Sequence, residues 1–298
     1  MPEVTQVLDR RTGTVFEERI FGGRTLEFLY GDARGRLLTD RVLSGTLAHR
    51  LYGWWQRHPS SKRRIPEFVA SLGVDASEAE HAVDAYASLD SFFARRLRTG
   101  ARPIDADARS LVSPADARVL VLPRIGARRL RVKGCDVTLD ELVGSPEEAR
   151  RYEDGAALVA RLAPADYHRF HFPDGGIASP ARLLPGRLHS VHPIALAAGA
   201  PSLRNRRMVT ALQSDGFGRI VLVEVGALCV GTIVQTYRPG RVERGAEKGI
   251  FRFGGSTVIL LLEPGVMAFD RDLVEASGRG LETLVRMGTR IARAGSDS

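Results

Sequence analysis

The stretch Gly245-Ala246-Glu247-Lys248-Gly249-Ile250-Phe251-Arg252-Phe253-Gly254-Gly255-Ser256-Thr257-Val258-Ile259 places two glycines directly before a Ser-Thr pair, and its apolar end continues to Leu262. Val258 to Leu262 is far shorter than the ~20 apolar residues of a spanning helix, and the run from Thr257 reads as a strand. Gly254 and Gly255 carry no Cβ, so the backbone before Ser256 can bend and be approached closely. The Ser256 hydroxyl could then attack the carbonyl that precedes it. The same residues also read as a glycine bulge opening a strand, and the segment alone does not separate the two.

Upstream of this stretch, from about residue 104, short β-branched runs alternate with Gly, Pro and Asp: Arg118 to Leu122, Leu130 to Val132, Ile220 to Val225 and Cys229 to Thr236. A few helices are expected among them, such as Pro146 to Tyr152. Before Gly100-Ala101-Arg102-Pro103 the pattern is helical. Leu38, Val42, Leu43, Leu47, Leu51 and Trp55 recur at helical spacing between Leu37 and Gln56, with Pro59 as the stop. A second helix is expected from Ser77 to Leu97, opened by a capping-box-like Asp75 and Glu78. The fold class expected is α+β: a mainly helical region, 1–103, on or beside a compact β-rich domain, 104–298.

With 298 residues and 44% hydrophobic content the chain can bury a substantial core, which excludes disorder. Two cysteines, Cys135 and Cys229, cannot build a disulfide framework. Residues 1–19 carry charges throughout and no apolar core of a secretory signal, so a cytosolic origin is expected. The net charge of +8 fits nucleic acid, an anionic membrane or a merely arginine-rich soluble protein. Tyr52, Trp54 and Trp55 followed by Arg57, Lys62, Arg63 and Arg64 suit a headgroup interface, and suit equally well aromatics packed inward beside a solvated basic loop.

Four of the seven histidines fall close together: His168, His171, His189 and His192. In extended structure residues three apart point to opposite faces, which disfavours a metal site, and no metal is assigned. A general base is the better reading for at least one of them. Asp116, in Ser113-Pro114-Ala115-Asp116, is either a simple turn residue or the acid that orients a histidine. In the second case Asp116, His171 and Ser256 form an acid, base and hydroxyl set.

Taken together these motifs resemble the phosphatidylserine decarboxylase proenzyme family. Ser91 to Ile104 is similar to its FF-x-R-x-L-x-x-GARPI stretch, Ser113 to Asp116 to its SPxDG element, and Val132-Lys133-Gly134 with Leu139 and Leu142-Val143-Gly144 to its KG…LLG element. Tyr167-His168-Arg169-Phe170-His171 matches YHR-x-H, and Gly249 to Val258 resembles G-x-F-x-x-GSTV. Val4 to Gly31 resembles the longer N-terminal region of one bacterial branch. Three positions depart from the pattern: Ala117 stands where Gly is usual, Gly254 where Leu is usual, and His192 where Asn is usual.

The resemblance implies self-cleavage between Gly255 and Ser256. His171, held by Asp116, would take the Ser256 proton, giving a β chain of residues 1–255 and an α chain of residues 256–298. Ser256 would become a covalent pyruvoyl group, the cofactor, which forms a Schiff base with the amine of phosphatidylserine and accepts electrons as carbon dioxide leaves. His168 is expected in an acid/base role at decarboxylation, with a supporting hydrogen bond as its alternative. The α and β chains would form a heterodimer, with pairing of two such units left open. The resemblance also implies peripheral association with the cytoplasmic face of an anionic membrane, and no nucleic acid. The competing readings are a pyruvoyl decarboxylase of a soluble amino acid, a serine hydrolase using the same triad, and a non-catalytic membrane-associated β domain.

Overall fold

The computed structural model describes residues 5–18, 23–228, 232–254 and 256–295. Gly255 and Cys229 lie outside the described residues. The class is α+β, and eleven strands among the described residues form one sheet. Its centre is the antiparallel run of Arg219–Val225, Ser256–Leu262, Ala156–Leu162 and Ala117–Leu122. The register sets Ser256 opposite Leu162 and Thr257 opposite Val225.

Alternation along the Ser256–Leu262 strand explains its unbroken apolar sequence. Val258, Leu260 and Leu262 enter one core with Leu158, Leu162, Ile220 and Leu222. Ile259 and Leu261 enter a second core on the other face with Val159, Val221 and Val223. A strand covered on both faces has no polar side, and each large aliphatic side chain so buried contributes roughly 1.5–3 kcal/mol. The expected strands at 118–122, 130–132, 220–225 and 257–262 are present within a residue or so of their ends. That from Cys229 to Thr236 is reduced to Ile233–Gln235 within the described residues.

The N-terminal region departs further from its helical reading. Gln6–Asp9 runs parallel to Glu282–Val285 and pairs with Val15–Glu17, so this hairpin belongs to the main sheet. The helix expected from Leu37 to Gln56 is interrupted. Ala33–Leu38 leads into a π turn at Thr39–Leu43, Ser44 closes that turn, and Thr46–Arg57 restarts from an extended Gly45. Between Ser77 and Leu97 there are 3-10 turns at Ala76–Glu78 and Val83–Ala85 and one short helix, Leu89–Phe93. Long-range pairing overrides the local period there. Glu78 bonds Arg102 instead of closing a capping box, Ala79 bridges Leu97, and Ser88 starts the short helix with its own capping box to Ser91. Tyr86, Leu89, Phe92 and Phe93 are nevertheless buried, in a third core with Ile65, Phe68, Leu72 and Phe253.

A buried ionic network fastens the N-terminal hairpin to the sheet. Arg161 contacts Glu18 at 2.8 Å and Glu282 at 2.5 Å, and Arg118 contacts Glu18 at 2.6 Å and also pairs with Asp166. Removing one member of such a network strands the others in a low-dielectric interior. Arg161→Ala is expected to cost about 3–5 kcal/mol of unfolding free energy, read from urea denaturation.

Candidate active site

The backbone before Ser256 crosses from the third core into the main sheet. Asp90, buried in the first turn of Leu89–Phe93, accepts the Phe253 N–H at 3.2 Å and pairs with Arg252 at 3.1 Å. The Phe253 ring lies 4.9 Å from that of Phe93, 5.9 Å from Phe68 and 6.0 Å from Tyr52. Gly254 follows with φ +129°, a conformation that glycine adopts freely and in which a side chain would be strained. Ser256 then opens the central strand. It is fully buried, and its hydroxyl has no hydrogen-bond partner among the described residues. Upstream, Gly249 lets this strand approach closely, since a Cβ there would meet the Phe170 ring at 2.4 Å and the Val234 carbonyl oxygen at 2.4 Å.

His168 and His171 flank this segment. The His168 carbonyl accepts the Phe251 N–H at 2.9 Å, and its ring lies 3.9 Å from that of Phe93. Its Nδ1 is 2.9 Å from the Asp166 carbonyl, which can only accept, so Nδ1 carries the proton and Nε2 the lone pair. That Nε2 is buried without a hydrogen-bond partner among the described residues, with the Gly254 backbone close enough to raise the ring's pKa against burial. Burial lowers the His168 pKa to about 3, holding the ring neutral.

His171 is oriented by different partners from those expected. Its Nδ1–H donates to the Gly245 carbonyl at 2.9 Å, and its Nε2 accepts from the Tyr167 hydroxyl at 3.2 Å. Asp116 is not hydrogen-bonded to it. The Asp116 carboxylate faces Arg102, at 2.9 and 3.0 Å from Nε and 2.5 Å from Nη2, and also accepts the Met287 N–H at 2.8 Å. Its strong acceptor positions are thereby taken, and only its charge reaches His171. Burial lowers the His171 pKa against the Gly245 hydrogen bond and the nearby Glu247 and Asp116 charges. Ala117 continues into a buried strand, a setting that does not require glycine.

The other two histidines lie elsewhere. His192 caps the helix Pro193–Ala197, accepting the Ile194 N–H at Nδ1, a role that Asn also fills. The His189 ring is 3.9 Å from Asp40. Among the described residues no group of three or more His, Cys, Asp and Glu side chains is placed to hold a metal ion.

Asp90, Arg102 and Tyr167 were not assigned from the sequence. Tyr167 and Arg102 lie inside quoted motifs, so their presence there was the available signal. Asp90 meets Phe253 across 163 positions, and no local pattern marks it. The aromatic-basic segment is divided. Trp54 and Trp55 are exposed, as are Arg57, Lys62 and Arg63, whereas Tyr52 turns towards Phe253 and the Arg64 guanidinium covers the Trp55 ring at 4.6 Å.

A buried serine that opens the central strand and two buried imidazoles in the segment Tyr167 to His171 are residue types that acyl and proton transfer use. Comparison with known proteins gives the chain a family. The sequence model of the family described as phosphatidylserine decarboxylase matches residues 89–293. A phosphatidylserine decarboxylase proenzyme of Chlamydia trachomatis (serovar D) is 41% identical over 289 residues, 96% of each chain. Proteins of the same name from Desulfitobacterium hafniense (strain Y51) and Fusobacterium nucleatum are 40% and 38% identical, covering 95% and 97% of this chain and 96% and 97% of theirs. The chain belongs to the phosphatidylserine decarboxylase family and is a carboxy-lyase.

The buried histidines make stability depend on pH. His168, near 3, and His192, near 4, titrate below the unfolded value of about 6.5, so the unfolded chain takes up protons first as pH falls. Their contribution is complete above pH 6.5 and is lost progressively towards pH 3. Melting temperature is expected to be flat from pH 7 to 8 and to fall over that window, and His168→Gln should reduce the slope.

Proposed function

We propose that this chain cleaves itself between Gly255 and Ser256 and then converts phosphatidylserine to phosphatidylethanolamine and carbon dioxide. The observation that carries this reading is the buried Ser256 hydroxyl without a hydrogen-bond partner among the described residues, at the end of a backbone segment anchored on both sides. Leaving a buried hydroxyl unpaired costs about 1–3 kcal/mol, a cost that Ser110 and Thr283 share, and what sets Ser256 apart is its place directly after Gly254 and Gly255 at the start of the central strand.

In the first stage the Ser256 oxygen attacks the Gly255 carbonyl as a histidine takes its proton, and the peptide becomes an ester. Elimination releases Gly255 as a carboxylate and leaves an unsaturated residue at position 256. Water replaces its nitrogen, which departs as ammonia, and the new N-terminus is a pyruvoyl group. The residues present fit that group, because no other described residue engages the Ser256 Oγ and Gly254 permits the turn. When formed, its ketone condenses with the substrate amine and takes up the electron pair released with carbon dioxide.

We assign His171 as the base of the first stage, with Gly245 fixing its tautomer, Tyr167 screening its lone pair until the hydroxyl swings aside, and Asp116 acting through its charge. His168, neutral and buried, is assigned proton transfer during decarboxylation. A second reading exchanges the two roles, and the unpartnered His168 Nε2 favours it.

Substrate access is assigned to a peripheral membrane surface at the cytoplasmic face. No helix among the described residues is long and apolar enough to cross a membrane. Phe28, Leu37, Leu38, Val42, Leu51, Trp54 and Trp55 are all exposed, between residues 28 and 55, and Arg57, Lys62 and Arg63 follow. A concentrated apolar face bordered by cations suits an anionic bilayer better than water. The two products of cleavage remain together as a heterodimer, because the Ser256–Leu262 strand pairs on both edges with β-chain strands.

Intact mass measurement is expected to give two chains, with the smaller ending in a ketone that hydrazines trap, and Ser256→Ala is expected to give one. Phosphatidylserine vesicles should release carbon dioxide and free serine should not; the reverse result would move the substrate to a soluble amino acid. An intact, acyl-trappable Ser256 would indicate a hydrolase instead. His171→Ala is expected to abolish cleavage, and His168→Ala to permit cleavage while reducing decarboxylation at least a hundredfold. If His168→Ala instead stays whole, the exchanged roles stand.

A further inference from the structure

Beside the His171 site opens a cavity of about 530 Å³, lined by Arg96, Arg98, Arg102, Tyr167, Thr236 and Glu247 among others. Its charges are unevenly spent. Arg102 is committed to Asp116 and Glu78. Glu247 is neutralised by Arg169 at 2.8 Å and accepts the Thr236 hydroxyl at 2.9 Å. Arg98 donates its Nε to the Ala79 carbonyl at 3.1 Å, which leaves its terminal nitrogens for other partners. Arg96 and Arg98 have no carboxylate within ion-pair distance among the described residues. Two uncompensated guanidinium groups therefore face one cavity, and its wall residue Tyr167 is hydrogen-bonded to His171.

We propose that Arg96 and Arg98 form a subsite for the phosphodiester of the substrate headgroup, an inference that rests on the reading of the chain as a phosphatidylserine decarboxylase. The guanidinium fork matches phosphate oxygens in bidentate geometry. The substrate carries a second anion, its carboxylate, but cations on that group would stabilise the ground state and oppose its loss as neutral carbon dioxide. The phosphodiester keeps its charge from substrate to product, so binding it anchors the headgroup without resisting the chemistry. Tyr167 marks the end of the cavity that meets the reacting side, and the exposed Arg96 and Arg98 mark the end that meets solvent or lipid.

The test uses the full-length Ser256→Ala chain and calorimetric titration with glycerophosphoserine, glycerophosphoethanolamine, inorganic phosphate and free serine. Both phosphodiesters are expected to bind and serine to fail, and Arg96→Gln with Arg98→Gln is expected to weaken diester binding at least tenfold. In the otherwise wild-type chain the same pair should leave self-cleavage intact and raise KM for phosphatidylserine in neutral detergent micelles about tenfold. Diester binding or KM unchanged by the two substitutions overturns the proposal, as does binding of serine equal to that of the diesters. Inorganic phosphate binding as tightly as the diesters indicates a free-phosphate site and overturns the headgroup assignment. Loss of vesicle binding with diester affinity unchanged reduces the arginines to general surface attraction and also overturns it. Diester binding in a wild-type protein that releases no carbon dioxide from phosphatidylserine would instead defeat the reading of the reaction and leave the subsite standing.

Discussion

The backbone from Phe253 to Ser256 is held at both ends by different hydrophobic cores. On one side the Phe253 ring sits among Phe68, Phe93 and Tyr52 while its N–H is fixed by Asp90. On the other, Ser256 enters a strand hydrogen-bonded along both edges and apolar on both faces. Neither end can yield without opening a core. The helical region is thus part of the proposed site: it supplies the wall against which the segment before Ser256 is positioned. Preorganisation of this kind lowers the entropic cost of bringing a weak nucleophile onto an amide carbonyl.

The same burial shapes the electrostatics. Two imidazoles are kept neutral because the interior disfavours their charged forms, and carbonyls at Asp166 and Gly245 fix which nitrogen carries the lone pair. A neutral imidazole with its lone pair available is the form that can accept a proton from serine. Several of the basic residues behind the net charge of +8 are absorbed by the fold, in the Arg161, Arg118 and Arg102 networks. Others remain available at two places, the cavity beside Tyr167 and the border of the exposed apolar face. An interior that consumes cations and a surface that presents the remainder near exposed apolar residues fit the membrane-surface reading proposed above.

The limits of local sequence patterns are clearest between Ser77 and Leu97. Apolar spacing there correctly marked Tyr86 and Phe93 as buried, yet the backbone is mostly turns, because Glu78 and Leu97 are engaged by distant or bridging partners. The helix from Leu37 to Gln56 failed at Ser44-Gly45, where a closing hydrogen bond and an extended glycine outweigh the periodicity of the flanking residues. Departures from the family pattern resolved in the opposite direction. His192 as a helix cap and Gly254 at positive φ each have a local physical reason.

By itself the sequence determined the central strands and the family, and it marked the glycine-serine junction and the two histidines proposed for the site, since these are written in contiguous runs whose composition restricts the backbone directly. Tertiary structure alone decided which groups hold which. Asp116 went to Arg102 instead of His171, Tyr167 took the His171 lone pair, and Asp90 reached Phe253 from 163 positions away. Hydrogen bonds of this kind depend on where separate chain segments meet when three cores close, and nearest-neighbour periodicity carries no information about that meeting.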